Sequence, residues 1–361
     1  MRSSYAASTG CINDDERRIL KQREWNMTRK LSYSRDILAM GDKELEVFVH
    51  RWVAQQTKDY VDHEEFGNAN DLGRDVVGFV TVNRHEGAWD NYQCKMLGKT
   101  LDDGSMYQEI GKILYFASEG NFTPPRKYIF VAPKGFNRKA EYLLNNPNKF
   151  RELILSDWDK RCAKKITSKQ SIPLTAELKK IIEEFDFTNI TGIDVAKMLT
   201  LNGIDFVLAD TFGDDPGESP DGDVPENVSA EESEYIRQLL AVYSDHESKI
   251  FLNISEILNH PIHKLGFNLH RRRYYDADAF RRHFRDNLKP EHLNKFNDEI
   301  LAGVYDVYCS NDGMQRIANV MTQASVIDIT GIFGRHKRAS IQVRQGTCHH
   351  FANEGTLPWK I

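Results

Sequence analysis

The chain has 361 residues, 40% of them hydrophobic, and a formal net charge of −5. This length and composition predict a globular protein with two hydrophobic cores. No apolar stretch is long enough to cross a bilayer, no signal-peptide pattern follows Met1, and the five cysteines are odd in number and scattered. These features predict a cytoplasmic protein with free thiols and exclude a membrane span and a disulfide framework.

The first 40 residues read as an N-terminal extension, with a basic helical piece around Asp14 to Arg29 to which we assign no function. The first element of the following domain is a helix from about Glu44 to Tyr60, for which Asp42 is the expected cap. Its apolar residues recur at helical spacing, and Glu46 points off that stripe.

A predicted β-hairpin follows the helix. Gly73-Arg74-Asp75 precedes one apolar strand, and Gln93-Cys94-Lys95 closes the next. The separation of 18 residues between Asp75 and Gln93 fits two antiparallel strands joined through residues 83–87. Because side chains alternate along a strand, Gln93 and Lys95 point to one face and Cys94 points into the core.

Next come a helix through about Ala117 and a buried strand from Lys127 that stops at Pro133. The order α, β, β, β, α, β predicts a mixed sheet flanked by helices, an α/β (α+β) fold. Helical spacing then covers residues 139–166, 175–185 and 193–201, and residues 204–209 read as a last short strand or buried turn.

An acidic segment divides this region, residues 41–211, from the rest. Residues 212–234 hold nine Asp and Glu and no Lys or Arg, so the remainder of the chain carries +4. The segment is rich in Gly and Pro, which predicts a flexible linker or loop. A solvated spacer is the simpler interpretation, and a DNA mimic that shields a basic groove is the alternative. Residues 235–361 are predicted to form a mostly helical C-terminal domain.

The hairpin carries the chemistry of a metal-dependent phosphodiesterase. Asp75 is the expected anchor for a divalent cation, with the Gln93 side-chain oxygen and the Cys94 backbone carbonyl as further ligands. Lys95 would orient the attacking water and offset charge at phosphorus. By their positions, Arg74, Lys99 and Lys112 are candidates for contacts with the DNA backbone.

On these residues, the stretch from Leu45 to Phe136 resembles the PD-(D/E)XK nuclease superfamily, in the branch with glutamine in place of the second acid. The resemblance implies a restriction-endonuclease-like core, Mg²⁺ or Mn²⁺ as cofactor, and a glutamate on the first helix that completes the metal site. Glu46 is the preferred candidate for that glutamate, and Glu44 is the reserve. Because Gln93 leaves one carboxylate fewer, the number of metal ions stays open.

The tail, from His260-Pro261-Ile262-His263 to Asn353-Glu354, is similar to the C-terminal domain of ABC-three-component systems. Together the two resemblances suggest the nuclease subunit of a Lamassu-type anti-phage system, of the LmuA or DdmA type. They imply an endonuclease that cuts double-stranded DNA with low sequence specificity. They also imply that an SMC-like ATPase and a small middle subunit hold it inactive, and that it forms a homo-oligomer when active.

Two other functions remain open. One is an inactive nuclease fold that serves as a DNA-binding or scaffold subunit. The other is a ribonuclease of the HEPN type in the C-terminal domain, for which Arg344 and His349 have the loose spacing. A zinc site from His260, His263 and the Cys348-His349-His350 cluster is not favoured, because the two groups lie far apart in the sequence. The basic stretch Arg271–Arg285 fits either a binding surface or a solvated face with internal ion pairs.

Overall fold

A computed structural model gives the fold of residues 32–67, 71–167 and 170–360. The helix predicted around Asp14 to Arg29 lies outside these residues. The chain divides into two compact units, and the division falls between Ile204 and Asp205. Among the described residues, no helix combines the length and apolar character that a membrane span needs.

The first unit is built on one mixed sheet with the strand order β1-β2-β3-β4-β5. The strands are Asp62–Glu65 (β1), Val76–Phe79 (β2), Trp89–Cys94 (β3), Lys127–Val131 (β4) and Ile190–Ile193 (β5). Strands β1 to β3 pair antiparallel, and β3, β4 and β5 pair parallel. Helices flank this sheet, so the predicted fold class is confirmed.

The helices of the first unit include a short one, α1, whose described residues are 32–38. The others are Asp42–Ala54 (α2), Asp103–Ser118 (α3), Arg138–Asn145 (α4), Pro147–Ser156 (α5), Trp158–Arg161 (α6), Ala176–Glu184 (α7) and Val195–Met198 (α8). Two 3₁₀ turns, Arg84–Glu86 and Phe187–Asn189, complete the unit. Helix α3 connects β3 to β4, as parallel neighbours require.

The start of α2 differs from the prediction. Gly41 is the N-cap residue, and its backbone N–H donates to the Glu44 carboxylate at 2.7 Å. Asp42 is the first helical residue and accepts from the Met96 backbone N–H at 3.1 Å. The helix ends at Ala54 and not at Tyr60. Asp42 therefore ties the helix to the end of the hairpin instead of capping it.

Three later elements also differ from the prediction. The helical pattern over residues 139–166 is three helices, because Pro147 begins a new one. Residues 190–193 form β5, which completes the parallel part of the sheet. The segment predicted as a strand or buried turn at 204–209 is a helix, α9 (Ile204–Phe212). A short apolar run has no period that separates a buried strand from a buried helix.

The second unit is mostly helical, as predicted. Its helices after α9 are Ser233–Glu247 (α10), Ile254–Leu258 (α11), His263–Arg285 (α12), Pro290–Cys309 (α13), Gly313–Val326 (α14), Gly331–Arg335 (α15) and Ile341–Asn353 (α16), with a 3₁₀ turn at Ala230–Glu232. Helices α12 and α16 cross closely at Gly346. A Cβ there would collide with the Arg273 backbone carbonyl, so only glycine fits.

The acidic segment makes specific contacts within the second unit. It lacks regular secondary structure over residues 213–225. Arg338 forms ion pairs with Asp215 and Glu218, and the Gly222 N–H donates to Asp276 at 3.0 Å. These contacts differ from those of a solvated spacer. The boundaries at 211/212 and 234/235 stay predictions.

Candidate active site

A tight turn before β2 sets the position of Asp75. The Asp71 carboxylate accepts from the Gly73 backbone N–H at 2.7 Å and binds the Lys112 ammonium at 2.8 Å. Leu72 and Gly73 are both left-handed, with φ values of 56° and 92°. Glycine tolerates this conformation, whereas leucine adopts it at a cost. The turn is thus held by side chains, and Asp75 follows it directly.

Asp75 and Gln93 lie opposite each other, as the predicted hairpin requires. The register pairs Val76 with Tyr92, so the preceding residue faces Gln93. Asp75 is 5% exposed. Its carboxylate accepts from the Gln93 side-chain amide at 2.6 Å and from the Cys94 backbone N–H at 2.8 Å.

The orientation of the Gln93 amide differs from the expected one. Its nitrogen faces Asp75, and its oxygen accepts from the Tyr128 hydroxyl at 3.0 Å. Tyr128 lies on β4 and is fully buried. Turning the amide over would present the oxygen to the Asp75 side. Because a tyrosine hydroxyl also accepts, Tyr128 could then accept from the amide N–H.

Lys95 is held by a carboxylate that the sequence analysis did not single out. Its ammonium lies 2.8 Å from the Glu109 carboxylate, and the two side chains are 23% and 13% exposed. Glu109 is on α3, beside the buried stripe that packs the helix against the sheet. Its spacing from Lys112 places both side chains on one side of the helix, but no pattern in the sequence signals the contact with Lys95.

The protonation of Asp75 and Lys95 reflects their surroundings. Burial raises the pKa of Asp75 to about 7, and the Lys95 charge and the Cys94 N–H only partly oppose this. The charges of Glu46 and Glu109 raise the Asp75 pKa further. For Lys95, burial works to lower the pKa, but the charges of Glu109 and Asp75 outweigh it, so the pKa is raised. Lys95 is therefore cationic at neutral pH, while Asp75 is close to its titration point.

Glu46 is half-buried at the edge of this group. Its side chain is 15% exposed and lies 3.2 Å from the Lys43 ammonium, which also forms an ion pair with Glu65. Its charge acts on Asp75, as the pKa of that group shows. The carboxylate of the reserve candidate, Glu44, accepts a hydrogen bond from the Gly41 N–H at the start of α2. Of the two, Glu46 takes no part in the helix cap, and its carboxylate lies against Gly67 after β1.

Two of the three predicted phosphate-contact residues meet at Asp71. The Arg74 Nε donates to the Asp71 backbone carbonyl at 2.8 Å, and Lys112 binds the carboxylate of the same residue. The Arg74 guanidinium also lies over the rings of Phe66 and Phe122, 4.4 and 4.8 Å from their centroids. These contacts give Arg74 and Lys112 a structural role in the turn.

Lys99 is placed differently. Its side chain is 76% exposed and pairs at 3.3 Å with Asp102, the N-cap residue of α3. It is the most accessible of the three predicted contacts. An exposed pair of this kind is weak and leaves the ammonium available to a phosphate.

Carboxylates of Asp75, Glu46 and Glu109 lie around this end of the hairpin, and carboxylate oxygens are the ligands that Mg²⁺ and Mn²⁺ prefer. Among the described residues, their ligand atoms do not all lie within 4.8 Å of one another, so an ion would have to draw them together. In the described part of the chain, no Arg or Lys forms an ion pair with Asp75, because Lys95 is paired with Glu109. A buried carboxylate with neutral donors and a raised pKa is the kind of group that a cation would stabilise.

The alternative site in the C-terminal domain is not assembled. His349 is fully buried. Trp359 donates its indole N–H to the His349 Nδ1 at 3.1 Å, so the Nε2 carries the proton and donates to His270 at 3.0 Å. Arg344 instead donates to the Ile327 backbone carbonyl at 2.8 Å. Burial first, and then the neighbouring charges, lower the pKa of His349 well below its usual range. A catalytic pair of Arg344 and His349 therefore has no support in this geometry.

Five of the six arginines in the basic stretch Arg271–Arg285 pair with acids of their own unit, and Arg273 does not pair with any described acid. Arg271 binds the buried Glu232, and four further arginines form exposed ion pairs, which are Arg272–Asp276, Arg281–Glu354, Arg282–Asp278 and Arg285–Asp286. The interpretation of this stretch as a face with internal ion pairs fits these contacts.

The comparisons with known proteins bear on the second unit. Residues 232–359 match the family model of C-terminal domain 6 of the ABC-three component (ABC-3C) systems. The comparisons with curated proteins and with solved structures found no match. The matched residues span α10 to α16, the helical part whose resemblance the sequence suggested. The C-terminal part of this chain is therefore similar to C-terminal domain 6 of the ABC-3C systems.

Proposed function

We propose that this protein is the metal-dependent endonuclease effector of an ABC-three-component defence complex. In this proposal the first unit hydrolyses phosphodiester bonds of double-stranded DNA, and the second unit binds the other components. The nuclease would belong to the Lamassu type, of the LmuA or DdmA kind.

One observation carries the proposal. Asp75, Gln93, Lys95 and Glu109 come from three separate segments and converge at one end of the sheet. The carboxylate there has neutral hydrogen-bond donors, and the neighbouring ammonium is held beside it. Perturbed titratable groups that cluster in this way are a feature of catalytic sites.

Asp75 and Glu46 would hold Mg²⁺ or Mn²⁺, with the Gln93 side-chain oxygen and the Cys94 backbone carbonyl as further ligands. The bound ion would polarise the phosphoryl oxygen and lower the pKa of a water molecule. The carboxylates fit this ion because they are hard oxygen donors with excess negative charge at the site.

Lys95 would act on the reacting phosphate itself. Its raised pKa keeps the ammonium charged, and its length allows it to reach beyond the end of β3. A fixed positive charge that faces the negative charge developing on the phosphate stabilises the transition state. Electrostatic stabilisation of this kind is usually the largest single contribution to catalysis. Glu109 positions this ammonium through its ion pair.

Lys99 would contact the DNA backbone. Arg74 and Lys112 would also contact it as far as their bonds to Asp71 in the turn allow. These contacts fix the DNA without reading bases, which accords with cleavage of low sequence specificity.

The regulation of the nuclease is also part of the proposal. An unregulated nuclease is toxic to its host, so we expect an SMC-like ATPase and a small middle subunit to hold it silent. Self-association after release would then assemble active sites. Co-purification of the full chain with the ATPase and middle subunit of its own system tests the first step, and light scattering after activation tests the second.

The central experiment is plasmid cleavage by the purified full chain with Mg²⁺, Mn²⁺ or EDTA. We expect nicking or linearisation that requires the metal and that Lys95→Ala and Asp75→Asn remove. Lys149→Ala changes an exposed lysine of the same unit and is the matched control. If Lys95→Ala cuts as well as the parent, the proposed mechanism is wrong.

The scaffold alternative makes the opposite prediction. An inactive nuclease fold would keep its defence function when Asp75 and Lys95 are replaced. Phage resistance of cells that carry the complete system with Asp75→Asn or Lys95→Ala separates the two, because a catalytic role requires that both variants lose protection.

A further inference from the structure

Four side chains of the second unit converge where α10 ends and α12 begins. His246 and Glu247 occupy the last turn of α10, which Ser248 ends in a left-handed conformation with φ of 50°. His260 follows α11, and His263 is the first residue of α12. The sequence separates these pairs by thirteen residues, so only the fold brings them together.

The three imidazoles surround one carboxylate. The Nε2 atoms of His263, His260 and His246 lie 2.6, 3.9 and 4.0 Å from the nearest Glu247 oxygen. The ligand atoms of His246, Glu247 and His263 all lie within 4.8 Å of one another. His246, Glu247 and His263 therefore place ligand atoms around one small volume, and His260 lies at its edge, outside this group.

We infer that His246, Glu247, His260 and His263 form a zinc site. Imidazole and carboxylate are the ligands that Zn²⁺ takes, and four protein ligands make a closed structural site. Bonds of about 2.0–2.1 Å place tetrahedral ligand atoms roughly 3.3–3.4 Å apart. His246 and His260 would approach Glu247 by under 1 Å, and His263 would withdraw from it by a similar amount.

The surroundings permit these movements. His246 is 53% exposed, so its ring can rotate toward the site. His260 and His263 stack with their centroids 4.5 Å apart, and the His263 backbone N–H donates to the His260 Nδ1 at 3.4 Å, a long hydrogen bond. The burial of His263 at 7% fixes the inner ligand, and the outer ligands adjust around it.

A comparison within the same unit separates this cluster from an ordinary histidine-carboxylate pair. His292 lies 3.1 Å from Asp210, with similar partial exposure. That pair has one imidazole, whereas Glu247 has three. One histidine is sufficient to form a hydrogen bond with a carboxylate, so hydrogen bonding alone does not explain why three surround Glu247.

The bound ion would connect the end of α10 to the start of α12. The connected segment includes α11 and carries three exposed apolar residues, which are Ile250, Leu252 and Ile262. Zinc would hold the two ends of this segment together. It would thereby fix the conformation of the segment and of its exposed apolar residues.

The test is zinc binding by the full chain, purified without an affinity tag and stripped of metal. Competition with a chromophoric chelator is expected to give one Zn²⁺ per chain with a submicromolar dissociation constant. Glu247→Gln and His263→Asn should weaken binding by about 100-fold or more. His292→Asn, the matched control, should leave it unchanged.

Two further variants keep the test decisive. His246→Asn changes an exposed side chain, so it should fold normally and still weaken binding at least tenfold. Asp75→Asn should bind zinc like the parent, which separates this site from the proposed nuclease centre. Absence of stoichiometric zinc from the parent, or unchanged affinity in both Glu247→Gln and His246→Asn, would overturn the inference.

Discussion

Each unit of the chain buries more than one carboxylate, and Asp75 and Glu232 differ in how their charges are compensated. Glu232 in the second unit is fully buried and receives two hydrogen bonds from Arg271, at 2.6 and 3.1 Å, and further ones from the Tyr275 and Tyr235 hydroxyls. Asp75 in the first unit is 5% exposed and receives two neutral N–H groups.

The difference indicates what each carboxylate is for. A buried charge is tolerated when a cation and hydrogen bonds compensate it, and Glu232 meets both conditions. Asp75 has hydrogen bonds without a paired cation, and burial raises its pKa to about 7. A buried and poorly compensated carboxylate lowers the stability of the folded state. We therefore attribute Asp75 to a function other than folding.

The largest expected effect follows from replacing Asp75 with asparagine. Cleavage should fall by about 10³-fold, because the main oxygen ligand at the site is lost. At pH 8 the folded state should become no less stable, because a neutral side chain replaces a poorly compensated charge. Plasmid cleavage and urea unfolding measure the two effects, and a large loss of stability would contradict our interpretation of Asp75.

The same chemical change at Glu232 should do the reverse. Glu232→Gln leaves the Arg271 charge buried without its partner and should destabilise the second unit by about 3–5 kcal/mol. Urea unfolding measures this, with Glu354→Gln as a control at the exposed ion pair with Arg281, where about 0–1 kcal/mol is expected. Equal losses for the two variants would remove the contrast between buried and exposed pairs.

Asp75 in the first unit and the buried histidines of the second unit should contribute pH dependences of opposite sign. The raised pKa of Asp75 contributes stability that is present below pH 3.8 and is lost as the pH rises through about 7. In the second unit, burial lowers the pKa of His270 and His350 to about 3 and of His349 well below 6.5. Their contribution is present above pH 6.5 and is lost on acidification, at about 1.4 kcal/mol per pH unit for each.

Amide hydrogen exchange, measured separately for β3 and α16, tests these two pH dependences of stability. Between pH 7 and pH 5, after correction for the intrinsic exchange rates, protection of α16 should decline. In the parent, β3 should become better protected from exchange as the pH falls. In Asp75→Asn this increase should be absent. Parallel behaviour of parent and Asp75→Asn would mean that Asp75 does not titrate as proposed.

A smaller effect is expected at Glu109, which acts through Lys95. Glu109→Gln should lower cleavage about tenfold and shift the alkaline limb of the pH-rate profile to lower pH, because the charge that raises the Lys95 pKa is lost. A merely structural role would lower the rate without moving this limb. Glu152→Gln, at an exposed pair with Lys149, is the control.

The smallest effect is expected at Lys99. Lys99→Ala should weaken DNA binding less than tenfold for every sequence and reduce the salt dependence of binding by about one ion. Binding titrations at several salt concentrations, in Ca²⁺ to prevent cleavage, provide the measurement. An unchanged salt slope would place Lys99 outside the DNA contact.

The sequence was sufficient for the parts of the fold that depend on local pattern. The hairpin that brings Asp75 opposite Gln93 was predicted from strand alternation and turn spacing. Glu109 was missed because its contact with Lys95 joins a helix to a strand across fourteen residues, and no periodicity signals such a pair. Strand β5 was missed because its pairing with β4 decides its conformation. The cluster around Glu247 was missed for the same reason as Glu109.

The turn at Leu72 and Gly73 links the strain of the backbone to the position of Asp75. Leucine in a left-handed conformation costs about 1–2 kcal/mol, and Leu72→Gly would recover part of it. The same change would widen the range of positions open to the Asp75 carboxylate. Leu72→Gly would therefore exchange conformational energy in the turn for a less fixed Asp75 carboxylate.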